Sequence, residues 1–156
     1  MIRPRTEADL DGCVKALAEV QAADRYPVDW PADPHGWLTP GDLVAAWVAV
    51  ADGVVTGHVG LARVEPELVE SLGVPVGGAV TRLFVTPGAR GGGLAARLLD
   101  QVRVTAGVPL TLNVSDEGRA AIALYERQGW RRVASTRARW LNSAGEPALL
   151  HHYLSP

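Results

Sequence analysis

The sequence is poor in cysteine: Cys13 stands alone, so neither a disulfide framework nor a four-cysteine metal site can be built from it, and a reducing compartment, the cytoplasm, is expected. No apolar run approaches the roughly 20 residues that a membrane span needs. The opening stretch MIRPRTEADL has no apolar core of signal-peptide length either, so no membrane partner is expected. An excess of one charge is also missing. The 15 Lys and Arg are interspersed with 17 Asp and Glu, for a net charge of -2, which argues against a nucleic-acid binder recruited by bulk charge. Lysine itself is nearly absent, Lys15 being the only one, and arginine carries the remaining positive charge. Nowhere do His, Cys, Asp or Glu recur at metal-ligand spacing, and no metal is expected.

What is present suffices for one domain spanning 1–156, because 47% of the 156 residues are hydrophobic and no linker or repeat divides them. Thr6 to Asp9, TEAD, has the form of a capping box, and Leu10, Val14, Leu17 and Val20 follow at helical spacing, which predicts a helix over about 10–22. The next stretch, DRYPVDWPADPHGWLTPGD, holds four prolines, two glycines and two tryptophans, and is expected to be an ordered loop or short helices. AAWVAV and VVTGHVGLARV flank Asp52-Gly53, a tight-turn pair, and predict a hairpin. GGAVTRLFV reads as a further strand, ending at Thr86-Pro87-Gly88. After it Leu94, Leu98 and Val102, with Ala95 and Leu99, line one helix face that stops near Gly107. LTLNV is a short strand, EGRAAIALYERQG a helix closed by Gly129, and WRRVASTRARWL with ALLHHYL a last hairpin. Read together these predict an α/β fold with one mixed sheet and helices packed on it.

The connection LFVTPGARGGGLAARLL, 83–99, runs three glycines together where an apolar strand gives way to an amphipathic helix. Glycine leaves room beside the backbone and permits positive φ, so successive N–H groups can point into one concavity at a helix start, which suits a phosphate or pyrophosphate. The plain alternative is a tight turn. A nucleoside-triphosphate loop is excluded, because Leu94-Ala95 stands where Lys-Ser/Thr is required. A dinucleotide fingerprint is matched only in degraded form, and what precedes it reads as antiparallel.

Residues 83–99 resemble the acetyl-coenzyme A binding motif of the GNAT N-acetyltransferase superfamily, an apolar strand followed by Arg/Gln-x-x-Gly-x-Gly/Ala opening a helix. Arg90, Gly93 and Ala95 stand at those positions, with Gly91, Gly92 and Leu94 between them. AIALYERQGW, 121–130, is similar to the family's later helix with its Leu-Tyr-Glu core and closing Gly-aromatic pair. The resemblance implies a mostly antiparallel mixed sheet with a splay between two central parallel strands and helices on both faces. It implies acetyl-coenzyme A as cosubstrate, held by the edge Leu83, Phe84 and Val85, by the loop Arg90, Gly91, Gly92, Gly93, Leu94 and Ala95, and by Asn113 and Tyr125. Tyr125 aligns with the tyrosine that family members often use to protonate the departing thiolate. A backbone N–H at Phe84 or Val85 would face the thioester oxygen. Three departures stand out: Gly92 where a second basic residue is common, Gly118 where an Asn is common, and no acidic residue in Ala79-Val80-Thr81-Arg82.

The general base stays open among Glu65, Glu67, His58, Asp29, Asp33, His35, His151, His152 and Tyr153, and Ser115 joins Asn113 as a possible holder of pantetheine or water. The proline-rich loop has the composition of a substrate wall: Trp30 and Trp37 offer rigid surface, Asp29 and Asp33 attract a cationic amine, and Glu65 lies just past a strand. A lid with inward-packed tryptophans is the other reading of that loop. Function is expected to be acetyl transfer from acetyl-coenzyme A to a primary amine of a small molecule or protein, by direct attack on the thioester, with a small-molecule or peptide amine as partner. The alternative is a non-catalytic acyl-coenzyme A binding or sensing module. Many relatives pair their C-terminal strands, which implies a homodimer as the assembly to test.

Overall fold

A computed structural model describes residues 1–156. The chain runs β1 (Ile2–Pro4), a 3-10 turn (Glu7–Asp9), α1 (Leu10–Asp24), α2 (Pro34–Leu38), β2 (Leu43–Ala51), β3 (Val54–Ala62), α3 (Pro66–Leu72) and β4 (Gly78–Val85). A second 3-10 turn (Pro87–Ala89), α4 (Leu94–Ala106), β5 (Leu110–Ser115), α5 (Arg119–Arg127), β6 (Arg131–Leu141) and β7 (Pro147–Leu154) complete it. The strands form a seven-stranded mixed sheet in the order β1-β2-β3-β4-β5-β7-β6. The β1–β2, β2–β3, β5–β7 and β6–β7 ladders are antiparallel, and β4 and β5 are the parallel pair. Their register is confined to Gly78↔Leu110 and Ala79↔Thr111 at the start of both strands.

Two compact units are distinguishable, Met1–Arg63 with Val80–Thr105, and Val64–Ala79 with Ala106–Pro156. In the first, Thr6 and Asp9 form the expected capping box, Asp9 accepting from the Thr6 N–H at 2.7 Å. Asp9 also pairs with both terminal nitrogens of Arg3 at 2.8 Å. The apolar stripe of α1 then buries Cys13, Ala16, Leu17 and Val20 in a cluster with Leu38, Val48, Val55 and Phe84. Asp52 and Gly53 both have positive φ, 51° and 74°, the turn that matches the twist of a two-residue hairpin. In the second unit Leu110, Leu112, Trp130, Ala148 and Tyr153 are buried, and Thr111 Oγ1 donates to the Tyr153 carbonyl at 2.8 Å.

α3 is the element that the sequence pattern did not announce. It is seven residues long, with Pro66 at its start and Gly73 closing it at φ 69°, too short for an apolar period to repeat. The proline-rich loop yields only α2, five residues whose first turn is capped by Asp33.

Candidate functional site

The loop between β4 and α4 is where the backbone itself is exposed. β4 ends as the buried Thr86 donates its N–H to the Thr56 carbonyl at 2.9 Å. Gly91 and Gly93 then adopt φ of 87° and 77°, conformations that residues with a Cβ rarely take. A Cβ added at Gly91 or Gly92 would meet nothing within 4 Å, and one at Gly93 would meet only Arg97 Nη1, at 3.7 Å. The backbone N–H groups from Gly91 to Ala96 have no acceptor within the protein. Alternating left-handed glycines at the head of a 13-residue helix make a concave row of donors on the positive end of the helix dipole. Such a cradle fits a diphosphate.

Its two arginines divide the work in a way the sequence did not foretell. Arg90 turns its guanidinium back, donating from Nε and Nη2 to the Val85 carbonyl at 3.2 and 3.0 Å, and pairs with Asp24. It thereby ties the loop to β4 and α1. Arg97, one turn into α4, donates to the Gly92 carbonyl at 2.7 Å and is the cation beside the glycines. No expectation named it; the available signal was its spacing, four residues after Gly93 on a helix. Leu83 is half-buried, and Phe84 and Val85 are buried on β4. The backbone of this strand presses on Gly57, whose Cβ, were there one, would sit 3.3 Å from the Phe84 carbonyl.

At the middle of the same strand, Arg82 has φ of 54°. Its carbonyl faces His58 Nδ1 at 2.8 Å, while His58 Nε2 lies 2.9 Å from Arg5 Nη1. Arg5 can only donate, so Nε2 accepts and Nδ1 carries the proton toward Arg82. His58 is fully buried and stacks on Phe84 at 5.1 Å. Burial, helped by the charges of Arg5 and Arg82, holds its imidazole down at about 4. With both nitrogens engaged, His58 has no ring nitrogen left to act as the base.

α2 gathers two of the expected substrate residues. Asp33 Oδ1 accepts from the Gly36 N–H at 3.1 Å. The Trp37 ring meets Tyr26 edge-on at 5.9 Å and carries the Arg82 guanidinium at 4.2 Å. Trp30 and Asp29 are exposed in the preceding loop, and His35 pairs with Asp11 at 2.9 Å.

The remaining candidates belong to the second unit. Glu65 and Glu67 are exposed at the start of α3. Tyr125, on α5, is buried, with its ring 6.2 Å from Trp130 and 6.1 Å from Tyr153. The Tyr153 hydroxyl donates to Glu126 at 2.8 Å. Asn113 is exposed on β5, opposite His152 of β7. Ser115 Oγ accepts from the Glu117 N–H at 3.2 Å and so closes its own turn. His151 pairs with Ser135, and His152 Nε2 with Thr136, both at 2.8 Å. His152 Nδ1 and Trp130 Nε1 are buried without any hydrogen-bond partner. Burial, with the neighbouring His151, lowers the His152 pKa. No group of three or more His, Cys, Asp or Glu is placed to hold a metal ion, and no helix is long and apolar enough to cross a membrane.

A family model described as an acetyltransferase (GNAT) domain matches residues 42–132, which include β4, the glycine loop, α4 and α5. No curated protein matches the sequence. Among solved structures, an N-acetyltransferase from Staphylococcus aureus Mu50 superposes with a TM-score of 0.76 at 16% identity, covering 99% of this chain and 96% of that one. NAA60 of Arabidopsis thaliana in complex with acetyl-CoA gives 0.72 at 20% identity, covering 99% and 96%. A ribosomal-protein-alanine N-acetyltransferase from Brucella melitensis gives 0.71 at 23% identity, covering 99% and 98%. At these identities the likeness is one of fold.

Proposed function

We propose that this chain, which belongs to the acetyltransferase (GNAT) family, moves an acetyl group from acetyl-coenzyme A, the cosubstrate of that family, to a primary amine by direct attack on the thioester. The observation that carries the reading is the row of N–H groups from Gly91 to Ala96 with no acceptor in the protein. They would hold the diphosphate, with Arg97 supplying the positive charge that Arg90 spends on Asp24. Leu83, Phe84 and Val85 would offer main-chain groups to the pantetheine arm, and Asn113 a side-chain amide. When bound, acetyl-coenzyme A supplies the acetyl group already activated as a thioester.

Direct transfer needs an amine that can lose a proton and a sulfur that gains one. Tyr125 Oη is assigned the second task. A phenol with an ordinary pKa near 10 gives its proton to a thiolate whose acid has a pKa near 8.5 only transiently, and regains it from water. The first task falls to His152, a neutral imidazole whose Nδ1 has no partner and whose cross-strand neighbour Asn113 is exposed. Trp30, Asp33, Trp37 and Glu65 are assigned to the acceptor amine.

The deciding experiment is coenzyme A release from acetyl-coenzyme A in the presence of a panel of primary amines. Amine-dependent release above the rate of thioester hydrolysis is expected. Tight acetyl-coenzyme A binding with no release for any amine would instead favour a non-catalytic acyl-coenzyme A sensor.

A further inference from the structure

The left-handed backbone at Arg82 sits in the middle of a strand, φ 54°, where a residue with a Cβ is strained and persists only because its surroundings hold it there. What holds it is the His58 Nδ1 bond to its carbonyl. What this leaves on the surface is a half-buried guanidinium lying 4.2 Å over the Trp37 ring. Its Nε donates to the Trp37 carbonyl at 2.9 Å and its Nη1 to Thr81 Oγ1 at 3.3 Å, whereas Nη2 donates to nothing in the protein.

No acid answers this charge. Ion pairs of the protein include Arg3–Asp9, His35–Asp11, Arg90–Asp24 and Arg103–Asp100. Arg82 is in none of them. Neither is Arg5, the other cation on His58, whose nitrogens instead bond the Leu38 carbonyl and the Thr39 hydroxyl at 2.7 Å. The guanidinium lies on an apolar ring with its charge unmatched by any acid of the protein, which leaves it able to take an anionic ligand. The guanidinium is also pre-organised: set over tryptophan and fixed at Nε and at Nη1, it keeps Nη2 and the second Nη1 hydrogen for a planar oxyanion and loses little freedom when one arrives.

We propose that Arg82 is the carboxylate anchor of the acceptor, so that the amine acetylated here belongs to a small amino acid-like molecule and not to a simple alkylamine or polyamine. The inference rests on the acetyl-transfer reading above. It is compatible with attraction of the ammonium group by Asp29 and Asp33, because an amino acid carries both charges. Capping of the Trp37 carbonyl by Nε and the bond from Nη1 to Thr81 Oγ1 account for two donors and leave Nη2 without a role.

The test uses matched acceptors, each amino acid against the amine formed by removing its carboxylate, with kcat/KM measured for the wild type, Arg82→Asn and Arg82→Lys. Asparagine is the variant of choice because it tolerates a left-handed backbone. In the wild type the carboxylate-bearing member is expected to lead by about 10- to 100-fold, the worth of a charge-assisted pair. Arg82→Asn should collapse that ratio toward one, and Arg82→Lys should keep part of it. A purely structural Arg82 predicts that both members lose rate by the same factor and the ratio stands, and that result overturns the proposal. So does a wild-type preference for the decarboxylated amine. Titration of intrinsic tryptophan fluorescence with the same pairs, in the presence of coenzyme A, gives a readout without turnover, in which equal affinities for both members count against the anchor. Failure of acetyl transfer itself would look different: no coenzyme A release with any amine.

Discussion

Tyr125 is held by its ring, between Trp130 and Tyr153, so replacing it with phenylalanine keeps the packing and removes only the hydroxyl. If the phenol protonates the departing sulfur, Tyr125→Phe should lower kcat about 10- to 100-fold, at the low end for general acids because a thiolate is already a fair leaving group, and leave KM for acetyl-coenzyme A unchanged. Were it a core residue alone, kcat at saturating amine would stay intact and stability would fall by about 1 kcal/mol through a lost hydrogen bond. Steady-state kinetics and a melting curve on one preparation separate the two. The same scale explains what the sequence could not disclose about charge. Arg90 matches the motif by position, yet its side chain serves the Val85 carbonyl and Asp24, 66 residues away in the chain. Arg97 matches no motif position and is the cation beside the glycines. A motif reports where the backbone must bend; it does not report where a flexible arginine finds its acceptor.

Among the elements, β4 shows most clearly how strand chemistry and site chemistry meet. The His58 that donates to the Arg82 carbonyl is held neutral by its other contact, since a ring protonated at both nitrogens could no longer accept from Arg5. His58 has a folded pKa of about 4 against an ordinary 6.5, so the unfolded chain binds the extra proton more readily. Its contribution to stability is complete above about pH 6.5 and is lost as pH falls toward 4, at no more than about 1.4 kcal/mol per pH unit. Urea titrations at pH 7 and pH 5 should therefore differ by up to about 2 kcal/mol. His152, also held down by burial, acts in the same direction, so the diagnostic is His58→Gln, which should flatten the dependence and leave the residual slope to His152. The left-handed step at Arg82 was invisible in AVTRLFV, which reads as an unbroken strand because an arginine gives no local sign of positive φ. By contrast Asp52-Gly53, Gly91, Gly93 and the end of α5 were legible, since there the residue type and the conformation are coupled. α1, α4 and the hairpins were legible because each is long enough for its period to repeat. α2, five residues, was legible only as a loop or short helices, and α3, seven residues, not at all, both being defined by proline at the start and tertiary packing.

For the molecule as a whole, connectivity sets the expectation. Each of the two compact units is discontinuous in sequence, the first built from Met1–Arg63 and Val80–Thr105, the second from Val64–Ala79 and Ala106–Pro156. β4 itself passes from one to the other between Ala79 and Val80. Neither unit can be completed without chain that belongs to both sides of the other, so we expect residues 1–156 to unfold as one cooperative domain, with far-UV circular dichroism and tryptophan fluorescence coincident. The tryptophans report on both units, Trp30, Trp37 and Trp47 on the first and Trp130 and Trp140 on the second. Acetyl-coenzyme A should then shift that single transition. A ligand at about 100 times its dissociation constant adds roughly 2.7 kcal/mol, which for a domain of this size is about 5–10 °C. Gly93→Val is expected to abolish the shift, because valine resists the left-handed φ of 77° and its side chain would stand where the N–H groups converge. Because the strain also lowers the variant's own melting point, the comparison is between each protein with and without ligand. An undiminished shift in Gly93→Val would move the phosphate site off the glycines, and a wild-type shift with ATP or NAD in place of acetyl-coenzyme A would change the identity of the ligand. Two separate transitions, with only one of them moved by acetyl-coenzyme A, would show that the units fold apart and would assign the cosubstrate to one of them.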